Sequence, residues 1–393
     1  MSTNYDQRRT SGNTYRTTSG SRKRAAKKRK TTKVIIFAVE LMVIAVMVGA
    51  LYVVTRLAKP EQKGGIKVIE LKQEALEIPQ EVQENVAMKG YMNVALFGVD
   101  ISREKTDEAG VVVDLLPAGT LRESGLLKGF RSDTIMIASI NMDNGDIKLV
   151  SVFRDTFLNM GESYSKCNAA YSKGGAEQAV KMLNTNMDMD IENFVTVSYW
   201  ALTEVIDALG GVYIDVSSDE LKHLNNYGIS IGKTMNTTYK PLAGPGYQLL
   251  TGMQAAAYCR IRYVGNDFAR AARQREVIKA IEEQAKKSDV NKLLTAFENA
   301  QKDISTSLKN DDIVQLISHI ADYKIVEEGE FPQEAYRTVK NMGAKGSCVV
   351  PTDLETNVKW LHKFLFDEDD YNVTNSVKEY SSYIKNFSAK YNN

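Results

Sequence analysis

Histidine, cysteine and proline are scarce in this chain of 393 residues, which contains three histidines, three cysteines and seven prolines. The histidines stand outside the motifs described below, which argues against a Ser-His-Asp triad and against a histidine-ligated metal. The cysteines are odd in number and lack the spacing of zinc ligands, so we expect neither a disulfide framework nor a zinc site. A G-x-x-x-x-G-K-[ST] phosphate-binding loop is also absent. Serine hydrolases, zinc proteins and P-loop nucleotide hydrolases are therefore disfavoured.

Charge is distributed unevenly, although the whole chain carries a net charge of only +1. Residues 1–33 contain eleven basic residues and one acidic residue, whereas the rest of the chain contains 39 basic and 48 acidic residues. A basic tail ahead of an acidic body is typical of a protein whose tail determines its membrane topology. The tail also suits contact with anionic lipid headgroups. Nucleic-acid binding is the alternative, but no recognisable fold for it accompanies these charges, so we expect no nucleic-acid partner.

A long apolar run follows the basic tail. The segment VIIFAVELMVIAVMVGALYVVT, residues 34–55, carries one charged residue, Glu40. A charge within a membrane span is costly, so Glu40 is a candidate functional residue; the alternatives are that it is protonated or that its side chain reaches the inner surface of the membrane. A helix of this length spans about 33 Å, which matches the hydrocarbon core of a bilayer. The run is longer than the apolar part of a secretory signal and lacks a small-residue cleavage site. We predict a retained transmembrane signal-anchor at 34–56, with residues 1–33 in the cytoplasm and the remainder outside the cell membrane.

Strand and helix patterns alternate beyond the predicted span. Residues 57–90 are charged with little apolar periodicity, which predicts an extracellular stalk. The segment YMNVALFGVD, residues 91–100, is typical of a buried strand that ends in an aspartate. The alternation that follows predicts an α/β domain over residues 91–370, with a mixed central β-sheet flanked by helices. A C-terminal tail then occupies residues 371–393.

A hairpin pattern brings two charged residues together. The segment SDTIMIASINMDNGDIKLVSVFRDTF reads as two strands joined at Asn144-Gly145, a dipeptide typical of a two-residue turn. With that turn, the numbers of paired residues sum to about 289. Asp133 and Arg154 then lie within two residues of each other at the open end of the hairpin. We further predict a helix over residues 174–187 and a loop-rich segment over 218–247.

Arginines are concentrated in AAAYCRIRYVGNDFARAARQR, residues 255–275, where they occupy positions 260, 262, 270, 273 and 275. We predict a strand that carries Arg260 and Arg262 on one face. The following helix places Arg270, Arg273 and Gln274 on one face, and the short turn between brings the two faces together. Such a cluster needs carboxylate partners or a bound anion, and guanidinium groups bind the oxygens of phosphate in pairs.

Aspartates supply a possible second half of the same site. Asp100 closes one predicted strand, Asp133 opens the hairpin, and Asp155 follows Arg154 where the hairpin closes. One reading is a structural network that pairs these aspartates and Asp267 with the arginines. The other is a Mg²⁺ ion held by Asp100 and Asp133, since Mg²⁺ prefers oxygen ligands and substrate phosphates. A metal beside several arginines is the equipment of phosphoryl transfer.

Six motifs occur in a fixed order, and together they resemble the LytR-CpsA-Psr family: GVD, RSDTIMIASIN, SVFRDT, KCNAAYSKGG, LGGVYIDV and YCRIRYVGNDFARAARQREV. The resemblance is close over residues 91–285 and weaker toward residue 370. It implies a membrane-anchored enzyme that moves a glycopolymer phosphate from a polyprenyl-pyrophosphate carrier to peptidoglycan and so attaches teichoic acid, capsule or other wall polymers. The lipid monophosphate is released.

The resemblance also implies roles for individual residues. Asp100 and Asp133 correspond to the ligands of Mg²⁺, for which Mn²⁺ is the alternative. Catalytic roles fall on Arg154, Arg260, Arg262 and, as a candidate base for the acceptor hydroxyl, Asp267. The pyrophosphate-binding set is Arg131, Arg154, Arg260, Arg262, Arg270 and Gln274. Lys166 and Asn168 are expected to shape the site, and the prenyl chain requires an apolar tunnel between the sheet and its helices, lined in part by residues 180–206.

Two other functions remain open at this stage. With water as the acceptor, the same site would be a pyrophosphatase of lipid-linked substrates. A non-catalytic protein that binds a lipid-linked polymer or regulates wall metabolism is the third hypothesis, although a pure binder has no need of the aspartate pair. The chain departs from the usual family pattern in a long segment over residues 101–130, in Phe153 where proline is common, and in Cys167 where leucine or isoleucine is common.

Overall fold

A computed structural model of the chain describes residues 67–100, 102–105, 112–115, 130–234, 237–265, 267–285, 287–288, 292, 296, 299–308 and 324–391. The predicted basic tail and the signal-anchor at 34–56 lie outside these residues. Within the described ranges, no helix combines the length and the apolar character needed to cross a bilayer.

A mixed β-sheet forms the centre of the domain, as the sequence predicts. Among the described residues its strands are β1 (Lys67–Val68), β2 (Tyr91–Asp100), β5 (Arg131–Asn141), β6 (Asp146–Val152), β9 (Asn193–Ser198), β12 (Ile304–Thr306) and β13 (Lys324–Phe331). Their order in the sheet is β1-β12-β9-β2-β5-β6-β13. Strand β2 pairs antiparallel with β5 and parallel with β9, while β6 pairs antiparallel with β5 and parallel with β13.

Smaller two-stranded ribbons surround this sheet in the described part of the chain. They pair β3 (Ser102–Lys105) with β4 (Val112–Leu115), β7 (Phe157–Asn159) with β8 (Tyr164–Lys166), β10 (Val212–Val216) with β11 (Gly246–Leu250), and β14 (Arg337–Asn341) with β15 (Ser347–Pro351). The β3–β4 ribbon belongs to the long segment at 101–130. The β7–β8 ribbon follows directly on the motif that contains Arg154.

Helices cover both faces of the sheet because alternate strand residues are apolar on each side. One face packs against α3 (Tyr199–Leu209), α4 (Ser218–Thr234), α5 (Gly252–Tyr258) and α6 (Asp267–Ala285). The other packs against α2 (Asn168–Met187), α7 (Leu354–Phe366) and α8 (Asn375–Ser388), while the short α1 (Gln80–Gln83) precedes β2. The helix predicted at 174–187 is therefore correct but begins earlier, and it bends at Gly174 and at Gly175, where φ is +69°.

The hairpin register differs from the prediction. Residues 142–145 form a four-residue loop, so that Ile140 pairs with Ile147, and the paired numbers sum to 287 rather than 289. The Asn141 side chain accepts hydrogen bonds from the Asp143 and Asn144 amides, which stabilises this longer turn. Because the shift is two residues, every side chain keeps the predicted face of the sheet.

Two other predictions about local structure are wrong. Residues 218–234 form helix α4 instead of a loop. No strand follows α5 in residues 259–265, all of which the structure describes. The reason lies in Arg273, whose guanidinium group donates to the Ile261 carbonyl at 3.1 Å and to the Val264 carbonyl. These carbonyls would otherwise have accepted hydrogen bonds from a neighbouring strand.

Segments on either side of the predicted domain pack against it. In residues 67–90, assigned from sequence to a stalk, β1 pairs with β12, and Leu76, Val82 and Met88 are almost fully buried. In residues 371–391, assigned to a tail, helix α8 buries Val377 and Ile384. The domain core therefore extends in both directions beyond the predicted boundaries.

Candidate active site

An irregularity in the sheet positions Asp133. Gly98 pairs with Thr134, but the next residue of β2, Val99, pairs with Ser132, which leaves Asp133 as an extra residue in β5. Such a β-bulge re-aims a side chain and is common beside active sites. The side chain of Asp133 is only 9% exposed. Its carboxylate lies near the end of the sheet at which β6 finishes, two residues before Arg154.

Two arginines hold the Asp133 carboxylate. Arg154 Nη1 lies 2.6 Å from Oδ1, and Arg262 Nη2 lies 3.1 Å from Oδ2. The proximity of Asp133 and Arg154, predicted from the hairpin, is thus confirmed, although the register is not. Arg262 arrives from the segment after α5, and its side chain is 42% exposed. One carboxylate therefore joins the hairpin to the arginine-rich segment.

The electrostatics of this cluster keep Asp133 ionised. Burial by itself raises the pKa of the carboxyl group, but the positive charge of Arg154, and then of Arg270 and Arg262, outweighs it. The pKa of Asp133 is consequently lower than its ordinary value. A permanent negative charge therefore sits among three cations at neutral pH.

Helix α6 contributes Arg270 and Gln274 from one face, as predicted. Arg270 is 3% exposed and Gln274 is 7% exposed. The side chain of Gln274 accepts a hydrogen bond from the Thr134 hydroxyl at 2.9 Å, and so fixes the helix against β5 next to Asp133. Arg273, predicted on the same face, instead binds Glu220 of α4 through Nε at 2.6 Å, which makes it part of the structural frame.

The other predicted site residues lie around this centre. Arg260 is 8% exposed, and its guanidinium carbon lies 5.2 Å from the ring centroid of Tyr199 at the start of α3. Arg131 is exposed and pairs in register with Asp100, at the ends of β5 and β2. Asp267 is the first residue of α6. The side chains of Asp100 and Asp267 lie outside the description, so their predicted roles stay predictions.

Asp155 forms two further ion pairs, which support the loop between β6 and β7 that carries Arg154 (the Arg154 loop). Asp155 receives Lys166 Nζ at 3.2 Å and Arg154 Nε at 3.6 Å. The backbone amide of Asn168 donates to the Arg154 carbonyl at 3.0 Å. Lys166 and Asn168 thus hold the loop in place, which agrees with the shaping role expected for them.

An apolar cavity of about 160 Å³ opens beside the charged cluster. It lies between the sheet and helices α3 and α6, as a prenyl tunnel requires, and part of its lining falls within the predicted range 180–206. A smaller pocket of about 30 Å³ contains Asp133, Arg154 and Arg270. Three residues line both spaces, namely Thr134, Met136 and Gln274. The charged pocket and the apolar cavity therefore adjoin each other and share part of their walls.

The chemistry of Asp133 fits a hard divalent cation. Its ionised oxygens each retain a lone pair beyond the one that faces a guanidinium group, and Asp100 ends the neighbouring strand. Across the described ranges, no three His, Cys, Asp or Glu side chains gather into a metal-binding group. A site of one or two carboxylates completed by water and substrate phosphate is the usual arrangement for Mg²⁺.

Sequence reasoning missed two residues of the site, Thr134 and Tyr227, and did not show that Tyr199, which lies within the predicted tunnel lining, packs against Arg260. Burial raises the pKa of the Tyr227 hydroxyl, and the charge of Arg262 opposes that rise, as do Arg260 and Arg270 more weakly, which places this tyrosine beside the arginines. Its helix, α4, was assigned to a loop. The apolar spacing of Leu221, Leu224, Tyr227 and Ile231 is helical and could have revealed it.

A known protein family matches most of the chain. The LytR_cpsA_psr family matches residues 61–353. The chain belongs to the LytR-CpsA-Psr family. The resemblance suggested by the six motifs is thereby confirmed, and the matched range includes most of the segment assigned to a stalk.

Individual relatives cover most of this LytR-CpsA-Psr chain. It is 26% identical over 308 residues to the polyisoprenyl-teichoic acid–peptidoglycan teichoic acid transferase TagT of Bacillus subtilis, which covers 78% of this chain and 86% of TagT. It is 28% identical over 251 residues to the corresponding transferase TagU of Enterococcus faecalis, covering 62% and 70% of the two chains. A solved structure of TagT bound to LIIa-WTA matches with a TM-score of 0.52 at 20% identity, over 76% of this chain and 98% of that one. The structural match shows a shared fold.

Proposed function

We propose that this LytR-CpsA-Psr protein is a phosphotransferase that moves a glycopolymer phosphate from a polyprenyl-pyrophosphate carrier to peptidoglycan. The observation that carries the proposal is that the apolar cavity adjoins the pocket of Asp133, Arg154 and Arg270 and shares part of its wall. A prenyl chain suits the cavity, and its pyrophosphate then lies at the arginines. The names of the relatives, which are teichoic acid transferases, support the same reaction.

The reaction breaks one phosphorus–oxygen bond and forms another. The acceptor hydroxyl oxygen attacks the phosphorus next to the glycopolymer, and the bond from that phosphorus to the bridging oxygen breaks. Polyprenyl monophosphate leaves with the bridging oxygen, and the glycopolymer becomes attached through a phosphodiester. Arg154, Arg262 and Arg270 stabilise the charge on the phosphate oxygens, which is the main requirement of phosphoryl transfer. Asp267 is the proposed acceptor of the hydroxyl proton.

A divalent cation is part of the proposal. Asp100 and Asp133 would hold Mg²⁺, or Mn²⁺ in its place, and the ion would neutralise charge on the pyrophosphate. The alternative to metal binding is a structural role, in which Asp133 holds the side chains of Arg154 and Arg262 in place through the two ion pairs described above. We expect that EDTA suppresses transfer and that added Mg²⁺ restores it; transfer that is indifferent to chelation would remove the metal from the mechanism.

The proposed location is the cell membrane, with the catalytic domain outside. The apolar run at 34–56 would anchor the chain, and the basic residues 1–33 would remain in the cytoplasm. A reporter enzyme that works only outside the cytoplasm should therefore be active when fused after residue 60. A reporter active only in the cytoplasm at that position would contradict this topology.

The full-length chain in detergent micelles provides the test of function. It is incubated with a polyprenyl-pyrophosphate-linked saccharide, Mg²⁺ and peptidoglycan oligomers, and the products are read by mass spectrometry. We expect an oligomer heavier by one saccharide phosphate, and a loss of at least about 100-fold in rate for Arg154→Ala. Lys181→Ala, which breaks an ion pair with Glu77 on the opposite face of the sheet, is the matched control. Free saccharide phosphate with unmodified oligomer would instead indicate a pyrophosphatase.

A further inference from the structure

Arg337, the first residue of β14, lies against two aromatic rings of the site. Its guanidinium carbon lies 4.5 Å from the ring centroid of Phe153 and 4.6 Å from that of Phe268. Its side chain is 13% exposed. A planar guanidinium group packs on aromatic faces both electrostatically and by contact, and removal from water strengthens the attraction.

The two rings belong to the segments that carry the phosphate-binding arginines. Phe153 precedes Arg154, and Phe268 lies in the first turn of α6, two residues before Arg270. Their centroids are 4.6 Å apart with the ring planes at 87°, an edge-to-face contact that aromatic pairs favour. Both rings line the small pocket that contains Asp133.

Contacts from β13 and from Pro332, which directly follows it, fix the orientation of the guanidinium group. Arg337 Nη1 donates to the Pro332 carbonyl at 3.0 Å and to Glu330 Oε2 at 3.3 Å. The end of β13 also holds the Arg154 loop directly, because the Phe153 amide donates to the Phe331 carbonyl at 3.0 Å. Strand β13, Arg337 and the two rings thus form one connected support behind the site.

We propose that Arg337 is a positioning residue for phosphotransfer, which sets the placement of Arg154 relative to Arg270 by packing on Phe153 and Phe268. This inference rests on the function proposed above. The contacts described for its guanidinium group are with the two rings, Glu330 and the Pro332 carbonyl, so it acts through the rings. Nothing in the six motifs includes Arg337, which lies more than fifty residues beyond the last of them.

Substitution of Arg337 should separate turnover from substrate binding. In Arg337→Gln we expect kcat to fall by about 10- to 100-fold, because small displacements of groups around a reacting phosphate are costly. The KM for the lipid-linked donor should stay within about twofold, since the apolar cavity that takes the prenyl chain is unchanged. Arg337→Lys keeps the charge but loses the planar packing surface, so its kcat should be intermediate.

A double-mutant cycle tests whether the effect passes through the rings. Phe268→Leu removes one ring, while Phe268→Tyr keeps it and should retain near-normal kcat. If Arg337 acts through this ring, the loss caused by Arg337→Gln becomes much smaller in the Phe268→Leu background than in the wild-type background. Lys345→Gln is the matched control, because Lys345 also lies over an aromatic ring, Phe157, at 5.8 Å, but outside the charged pocket. Its kcat should be unchanged.

Full-length variants in detergent micelles are assayed with the same donor and acceptor, and thermal melting confirms that each is folded. Equal losses from Arg337→Gln in both backgrounds, or unchanged kcat in Arg337→Gln, would overturn the positioning role. A raised donor KM with normal kcat would also overturn it and indicate direct contact with substrate. Absence of transfer in the wild-type chain would refute the proposed function itself, and the inference with it.

Discussion

Asp133 is the side chain that connects the two arginine-bearing segments of the candidate site. It is the extra residue of a β-bulge, it contacts Arg154 and Arg262, and the positive charge around it more than compensates for its burial. Removal of one partner from a buried charged cluster leaves the others without compensation. We therefore expect the residue to contribute to the stability of the domain as well as to the proposed reaction.

Asp133→Asn should lower the free energy of unfolding at pH 7 by about 1–3 kcal/mol. The pKa of Asp133 in the folded state lies below its ordinary value. Its carboxylate therefore stabilises the fold fully at a pH above that ordinary pKa. The contribution is lost as pH falls through the lowered pKa. The difference in melting temperature between wild type and Asp133→Asn should therefore be constant above about pH 5 and shrink below about pH 4.

The comparison is made by calorimetry from pH 7 to the lowest pH at which both proteins fold reversibly. Asp143→Asn, in the hairpin loop, serves as the matched control and should follow the wild type throughout. A difference that grows toward low pH would show that Asp133 is not the ionised centre of this cluster.

The sequence was enough to predict which charged residues lie close together, but not which partner each of them binds. The hairpin pattern predicted that Asp133 lies near Arg154. This prediction holds for a two-residue or a four-residue turn, because strand pairing limits the distance between the two residues in both cases. Helix periodicity could not separate Arg270 from Arg273, since both lie on a similar face. Their roles diverge because Glu220 lies on helix α4, and only the folded chain brings that helix to Arg273.

At the scale of elements, the cavity between the sheet and helices α3 and α6 is the feature that makes the charged pocket suitable for the lipid phosphate of the proposed function. Its lining comes mainly from β2, β5, β9, α3 and α6, which are spread over residues 91–285. Sequence identified most of these elements, because their apolar patterns are strong. It could not show that the helices leave space over the sheet, since helix packing distance depends on side chains from both partners.

Filling this cavity should weaken binding of the donor. Val205 of α3 is 6% exposed and lines the cavity, whose volume is about 160 Å³. In Val205→Phe the added ring occupies space that a prenyl chain would use, so we expect the KM for a long-chain donor to rise at least about tenfold. A short, water-soluble prenyl donor should be affected much less. The measurement is KM for both donors in the same detergent.

Val205→Ala is the matched control, because it enlarges the cavity and should leave both KM values near those of the wild type. Overpacking can destabilise a core by about 1–3 kcal/mol, so the melting temperature of each variant is measured as well. Equal losses for long and short donors would show that the cavity does not bind the prenyl chain.

At the scale of the whole molecule, the chain beyond the six motifs completes the domain. Val349 of β15 donates its amide to the Asp155 carbonyl at 2.9 Å, and Phe387 of α8 stacks on Phe157 with centroids 5.5 Å apart. Both contacts reach the segment that follows Arg154. This support is hard to predict from sequence, because a short amphipathic helix after a loop resembles a solvent-exposed tail until its partner surface is known.

Truncation after Asp370 should therefore abolish activity through loss of structure. It removes Val377 and Ile384, both fully buried, and the hydrogen bonds of Thr374 to Asp188. Burial of two such aliphatic side chains contributes about 3–6 kcal/mol, a large part of the stability of an ordinary domain. We expect a markedly lower melting temperature and loss of transfer in the shortened chain. Truncation after Tyr391 leaves helix α8 intact and should preserve both, whereas normal melting after the longer truncation would show that the central sheet and its remaining helices hold Arg154 and Asp133 without α8.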